Sequence, residues 1–465
     1  MIRRHADSAR GPRGMLAAAA LALALSAGPA HGEDAQPAAP AGAERLTGDW
    51  GGLRPRLADA GFAFSATYIG EILGNATGGV RRQAVYEGRL ELALDIDLAR
   101  ALRWNGAQFH VSAYQIHGRG LSTGALGSNL MVASNIEATR AFRLFTLWLQ
   151  QDLFDGALQA RLGQLAADEE FFVSDSAASF INSTFGWPAL LAADLPSGGP
   201  TYPLATPGVR LRIAPAAGWT VLAAVFNGDP AGPGDGDPQR RNASGTAFRV
   251  NDNVFAIAEL AYALNQGENA RGLPGTYKLG AWVHGGRFAD QHYDDAGLSL
   301  ADPASSGNPR QRRRNFGFYA IADQTIWRPA GGSEGGLSAF LRLAGAPGDR
   351  NLLSFSVDGG FAWRGPIPGR GDDVLALGAA FARVSGDARA RDRDSALFAP
   401  PGDPVRRWEA AIELTYQAQI TPYWMLQPDF QYVFRPGAGV AVATAAGSVV
   451  PRNAAIFGLR GVVRL

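Results

Sequence analysis

From Phe62 onward apolar and polar residues alternate along most of the chain, a spacing that sends successive side chains to opposite faces of a β-strand. Between Tyr86 and Leu98 one face carries Tyr86, Leu90, Leu92, Leu94, Ile96 and Leu98. The other carries Glu87, Arg89, Glu91, Asp95 and Asp97. Further on, Trp408, Ala410, Ile412, Leu414 and Tyr416 oppose Arg407, Glu409, Glu413 and Gln417. Trp424, Leu426, Phe430, Tyr432 and Phe434 oppose Gln427, Asp429, Gln431 and Arg435. The chain ends with Phe457, Leu459, Val463 and Leu465 against Arg460 and Arg464. Weaker alternation marks strands near 61–72, 107–117, 139–153, 157–165, 205–214, 218–228, 253–264, 275–289, 315–328, 337–346, 351–364 and 372–385. The inward face is ambiguous at 139–153, 218–228 and 315–328.

The pattern predicts an all-β fold of sixteen antiparallel strands, an even number as in single-chain outer-membrane barrels. If the first strand runs outward, the even-to-odd connections are short, as at Asp155-Gly156, Pro215 to Gly218 and Thr421-Pro422. The odd-to-even connections are mostly long: 118–138, 166–204, 229–252, 290–314, 386–404 and 436–452. Turns at one end and loops at the other fit a transmembrane β-barrel. Soluble sandwiches and propellers have no reason to sort their connections in this way. Trp219, Trp327, Trp363, Tyr423 and Trp424 sit at strand ends on the short-turn side, where an interfacial aromatic girdle is expected.

Residues 1–32 read as a secretory signal peptide, with Arg3, Arg4, Arg10 and Arg13 before an apolar Met15 to Ala27 run and small residues beyond it. An Ala/Pro-rich leader is expected over 33–45 and a short periplasmic helix over 46–60, with Thr47 or Asp49 as N-cap. The barrel then occupies 61–465. No later stretch has the roughly 18 consecutive apolar residues of a membrane-spanning helix. Composition narrows the remaining chemistry. The chain has 465 residues, 18% of them charged, a net charge of +1 and no Cys, and Lys278 is its only lysine. That balance gives no footprint for nucleic acid, and the lack of thiols excludes disulfides, Cys-ligated metals and thiol nucleophiles.

Residues 46–62, LTGDWGGLRPRLADAGF, resemble the TGDWGG signature that opens the OprB-type carbohydrate-selective porins. Further matches follow in order: DEEFFVSDSAASFINSTFGW at 168–187, GGPTYPLATPGVRLR at 198–212, FNGDP at 226–230 and NFGFYAIADQTIWR at 315–328. APGDRN at 346–351, PYWMLQPDFQY at 422–432 and NAAIFGLR at 453–460 complete the set. The final Leu465 departs from the terminal aromatic usual in such barrels. The resemblance implies a sixteen-stranded outer-membrane channel for sugars such as glucose, with no catalytic residues, metal or cofactor.

For such a channel the longest loop, 166–204, is the candidate constriction, folded inward. It supplies Asp168, Glu169, Glu170, Phe171, Phe172, Asn182, Phe185 and Trp187. The inward faces add Arg89, Glu91, Asp95, Arg161, Arg210, Arg212, Glu259, Arg342, Asp358, Arg407, Glu409, Glu413, Asp429, Gln431 and Arg460. Sugar hydroxyls both donate and accept, so mixed guanidinium and carboxylate groups suit them, while aromatic faces suit their C–H surfaces. The bland reading of the same residues is cross-strand bracing of the wall. The expected partners are small neutral sugars, outer-membrane lipid and lipopolysaccharide, for a monomer or homotrimer. The alternatives are a general small-solute porin, an outer-membrane enzyme or a sugar-binding surface protein.

Weaker signals remain. Gly120 to Gly124 matches G-x-S-x-G by chance. Asp290, His292, Asp294 and Asp295, or Asp229, Asp235 and Asp237, read first as solvated loops and only second as cation ligands. Arg310, Arg312, Arg313 and Arg314 form a basic run that could meet lipopolysaccharide phosphates.

Overall fold

The computed structural model describes residues 44–128, 130–266, 270–329, 335–398, 404–444 and 447–465. The expected signal peptide, and all of the leader but its last two residues, lie outside this set.

The strands are β1 (Phe62–Gly79), β2 (Ala84–Asp97), β3 (Ala107–Gly118), β4 (Ala141–Leu153), β5 (Leu158–Leu165) and β6 (Thr206–Ala216). Then come β7 (Trp219–Asn227), β8 (Val254–Leu264), β9 (Gly275–Asp294), β10 (Pro309–Trp327), β11 (Gly336–Gly345) and β12 (Leu353–Arg364). The last are β13 (Val374–Val384), β14 (Trp408–Thr421), β15 (Trp424–Phe434), β16 (Val442–Thr444), β17 (Gly447–Val449) and β18 (Arg452–Arg464). β16 and β17 form a small hairpin apart, and the other sixteen close an antiparallel barrel in which β1 pairs with both β2 and β18. Closure gives the strand backbones internal partners, which hydrocarbon demands.

All sixteen expected strands are present. Outward residues form an apolar band, with Leu279 and Phe318 each 65% exposed, and Trp219, Trp327, Trp363 and Trp424 stand exposed at the short-turn rim. The ambiguous faces have physical causes. In β4 a register shift opposite Val111 and Ala113 reverses the parity within the strand, so Arg143 and Phe145 face inward before it and Thr146, Trp148 and Gln150 after it. In β7 and β10 the inward residues Leu222, Phe226, Tyr319 and Ile321 are apolar, because they pack on the barrel's contents. With both faces apolar, alternation disappears.

Those contents are two loops, 119–140 after β3 and 166–205 after β5. Phe171, Phe172, Phe180, Phe185, Leu190 and Leu191 of the second pack against Tyr319, Phe340, Ala376 and Ala380 of the wall. Burial of each large apolar side chain contributes about 1.5–3 kcal/mol. Gly378 makes room for them: a Cβ there would meet the Phe180 ring at 2.8 Å and the Phe185 ring at 2.9 Å.

Three expectations are corrected. The N-terminal helix spans only Leu53–Asp59, and its N-cap Gly52 offers no side chain; Asp49 instead accepts from the Gly51 N–H at 3.0 Å. The helix lies at the short-turn rim, where Arg54 reaches the Leu465 carbonyl at 3.3 Å. The loop expected at 290–314 is largely a continuation of β9 and β10. The loop expected at 386–404 contains a helix, Gly386–Phe398.

Candidate functional site

One group of inward side chains holds the two loops. Arg342 donates from Nε to Asp358 at 2.7 Å, from Nη1 to the Phe172 and Gly186 carbonyls at 2.9 Å, and from Nη2 to the Thr184 carbonyl at 2.8 Å. Glu413 accepts from the Ile181 and Asn182 N–H groups at 2.6 and 2.9 Å. Gln431 accepts from Asn182 at 3.0 Å, donates to the Ala133 carbonyl at 2.9 Å and also donates to Asp429 at 2.9 Å. Glu259 accepts from the Phe172 N–H at 3.2 Å and the Tyr319 hydroxyl at 2.9 Å. Glu409 accepts from Ser128 at 2.8 Å and the Gly437 N–H at 2.7 Å. Arg460 bridges Glu71 at 2.6 Å and Asn135 at 2.7 Å. All of these wall side chains are buried, as are Asn182 and Trp187. Phe171 is only 1% exposed, so its ring packs the loop and presents no face to a solute.

A second group lies on β2 to β6. Arg161 and Arg210 stand directly opposite each other across β5 and β6. Two like charges in that register repel, and Glu170 from the loop resolves the conflict by pairing with each at 2.8 Å. Gln150 accepts from both, at 2.9 and 3.2 Å. The Arg161 guanidinium lies 3.8 Å over the Trp148 ring, which stacks on His110 at 4.9 Å. Asp95 accepts from His110 Nδ1 at 2.6 Å and keeps 48% of its side chain exposed. Arg89 pairs with Glu91 at 3.2 Å and lies over Tyr114 at 4.6 Å and Tyr202 at 5.2 Å. Asp168 accepts from the Tyr202 N–H at 2.9 Å. Burial raises the Asp168 carboxyl to about 6. Partial burial, then the neighbouring Asp168 charge, raise Glu169 to about 8.

Arg212 and the exposed Arg407 have no side-chain partner among the described residues. The strand pattern did not single out His110, Trp148, Gln150, Tyr114 or Tyr202, nor the inward course of loop 119–140. Parity could have placed His110 and Tyr114, since both fall on the inward register of β3 beside Asp95 and Glu91. The other signals have local uses. Ser122 is buried and donates to Glu137 at 2.7 Å. Asp290 accepts from Arg312 at 2.8 Å, and Asp294 from Ser305 at 2.8 Å. Asp229 accepts from Ser197 at 2.6 Å, and Asp237 from Thr139 at 2.6 Å.

A family model described as carbohydrate-selective porin, OprB family, matches residues 81–465. The chain belongs to this family. Porin B of Pseudomonas aeruginosa is 27% identical over 417 residues, 84% of this chain and 87% of that relative. The putative porin QuiX of Acinetobacter baylyi is 24% identical over 421 residues, 85% of this chain and 89% of the relative. A high-pH structure of Pseudomonas putida OprB superposes with a TM-score of 0.79 at 23% identity, covering 92% of this chain and 100% of that one. An OprB-family barrel with an outward apolar band belongs in the bacterial outer membrane, with its short turns at the periplasmic face. Membership of this porin family makes the chain a channel.

Proposed function

We propose that this OprB-family porin gives small neutral sugars such as glucose a passive path across the outer membrane, past the side chains of β2 to β6 and the 168–170 segment. The observation that carries the reading is the Arg161–Arg210 pair held around Glu170, with Arg161 lying over Trp148. Arg210 Nη1 and Asp168 Oδ1 are buried without a hydrogen-bond partner among the described residues. They are a donor and an acceptor that enclosed water can satisfy behind the path. The partly accessible Arg161 guanidinium and the half-exposed Asp95 carboxylate supply the donors and acceptors that sugar hydroxyls need. Transit requires that such contacts be weak enough to release the solute.

On this reading the path performs no catalysis and needs no cofactor, residues 1–32 are the export signal, and 33–45 are a leader. Arg342, Glu259, Glu409, Glu413, Asp429 and Gln431 set the shape of the path by fixing the loops, and do not bind sugar themselves. Solute entry into proteoliposomes is the test, comparing glucose, a disaccharide and size-matched amino acids. Faster sugar entry, lost in Arg161→Gln, is expected. Equal entry of all solutes would demote the protein to a general porin. No entry would overturn the channel reading and revive the surface-protein alternative.

A further inference from the structure

The outer wall of β9 and β10 carries a ladder of outward pairs. Leu279 faces Ala320, Ala281 faces Phe318, and Val283 faces Phe316. Leu279, Val283, Phe316 and Phe318 are all exposed, so these rungs belong to the lipid-facing band. The register then shifts between Arg313 and Asn315, and the next outward pair is Arg287 opposite Arg313. Both are exposed, and neither side chain has a hydrogen bond or ion pair with any described residue.

The basic run divides here according to strand parity. Arg312 points inward and is neutralised by Asp290 at 2.7 Å and Asp349 at 3.3 Å. Arg310 lies over the Tyr293 ring at 5.8 Å. Arg313 points outward, and the exposed Arg314 follows it in the left-handed conformation at φ 63°. Beyond the arginine pair the next outward rung is Ala289 opposite Gln311, so the face carries no carboxylate there.

Two guanidinium groups held opposite each other on adjacent strands repel, and the cost is lowered when an anion sits between them. The rung stands at the loop-side edge of the apolar band, which in an outward-running barrel is the headgroup level of the outer leaflet. An anion carried at that level above acyl chains is a phosphorylated, acylated glycolipid. We propose that Arg287 and Arg313 form a two-pronged seat for the phosphate of such a lipid, with its acyl chains lying on Val283, Phe316 and Phe318. The seat is independent of the path through the lumen and would stand if that path had no sugar preference. Its lipid is of the lipopolysaccharide class.

The test uses the purified full-length barrel in a neutral detergent, titrated with bis-phosphorylated lipid A, with its fully dephosphorylated form, and with inorganic phosphate. Binding is followed by the shift in thermal unfolding, and heat-modifiable gel mobility verifies folding of each variant. The bis-phosphorylated lipid should raise the unfolding temperature, and the other two should not. The variant Arg287→Gln, Arg313→Gln should bind the lipid about tenfold more weakly, with glucose entry unchanged. Arg328→Gln, at the opposite rim, should bind normally. Should the double variant not fold, Arg287→Gln alone should show a smaller loss in the same titration. Undiminished lipid binding in the folded variants, or an equal shift from the dephosphorylated lipid, would overturn the seat. An equal shift from inorganic phosphate would replace it with a free-anion site.

Discussion

On β8 to β15, arginines and carboxylates bond to the backbone of the inward loops; on β2 to β6, they bond mainly to one another across aromatic rings. Arg342 illustrates the first arrangement, with its three nitrogens committed to Asp358 and three loop carbonyls. Arg161 illustrates the second, lying between Trp148, Gln150 and Glu170 and still partly accessible. Both are lumen-facing arginines on alternating strands. Their different roles follow from what the loops place in front of them. Where the Phe-rich segment 171–185 fills the lumen, a polar wall residue must pair with loop backbone or stay unsatisfied in a dry contact. Where the acidic segment 168–170 passes, the loop brings charge and leaves polar surface for solutes.

The largest effect that can break this contrast comes from the anchoring side. Arg342→Ala leaves Asp358 buried without its partner and frees the carbonyls of Phe172, Thr184 and Gly186. It should cost about 3–5 kcal/mol of stability in urea unfolding from detergent. The same variant should admit larger solutes, because the loop loses its central tether. A stability change below about 1 kcal/mol would contradict the anchoring role.

A smaller effect is expected from the packing that keeps the loop seated. Gly378→Val places methyl groups where Phe180 and Phe185 already approach within 3 Å of a Cβ position. Overpacking of this kind costs about 1–3 kcal/mol. Sugar discrimination by β2 to β6 should survive at temperatures where the variant remains folded. Loss of discrimination without loss of stability would mean that the two sides of the lumen are not separable.

A further effect concerns pH. Glu169 is held protonated up to about 8, against 4.5 as its ordinary value. Between those values the native chain binds more protons than the unfolded one, so stability falls as pH rises from about 4.5 to about 8. Glu169→Gln should flatten that part of a urea-midpoint profile. A profile identical to that of the parent chain would show that the loop accommodates the carboxylate charge without cost.

The barrel was legible in the sequence because a lipid face and a wet face must alternate, and strands such as Tyr86 to Leu98 obey that rule. It blurred where another force took over: the register shift in β4, and the loop-facing apolar residues Leu222, Phe226, Tyr319 and Ile321. The candidate site was less legible for the same reason. Parity identifies Arg89, Arg161, Glu413 and Gln431 alike as inward. It cannot say which of them meets loop backbone, since that depends on where 119–140 and 166–205 come to rest. Those contacts join residues far apart in sequence, 87 positions between Phe172 and Glu259 and 232 between Ile181 and Glu413.

The most direct test is single-channel recording with glucose titrated into the bath, comparing the parent chain with Arg161→Gln on the solute side and Asp323→Asn on the anchoring side. Asp323 accepts from Ser174 at 2.6 Å and from the Ser176 N–H at 2.9 Å, so Asn at this position weakens loop attachment without altering a partner of Arg161. Sugar should reduce the current in the parent and in Asp323→Asn at similar concentrations, and Arg161→Gln should need roughly tenfold more. Equal sensitivity in Arg161→Gln and the parent, or loss of sensitivity only in Asp323→Asn, would contradict the account.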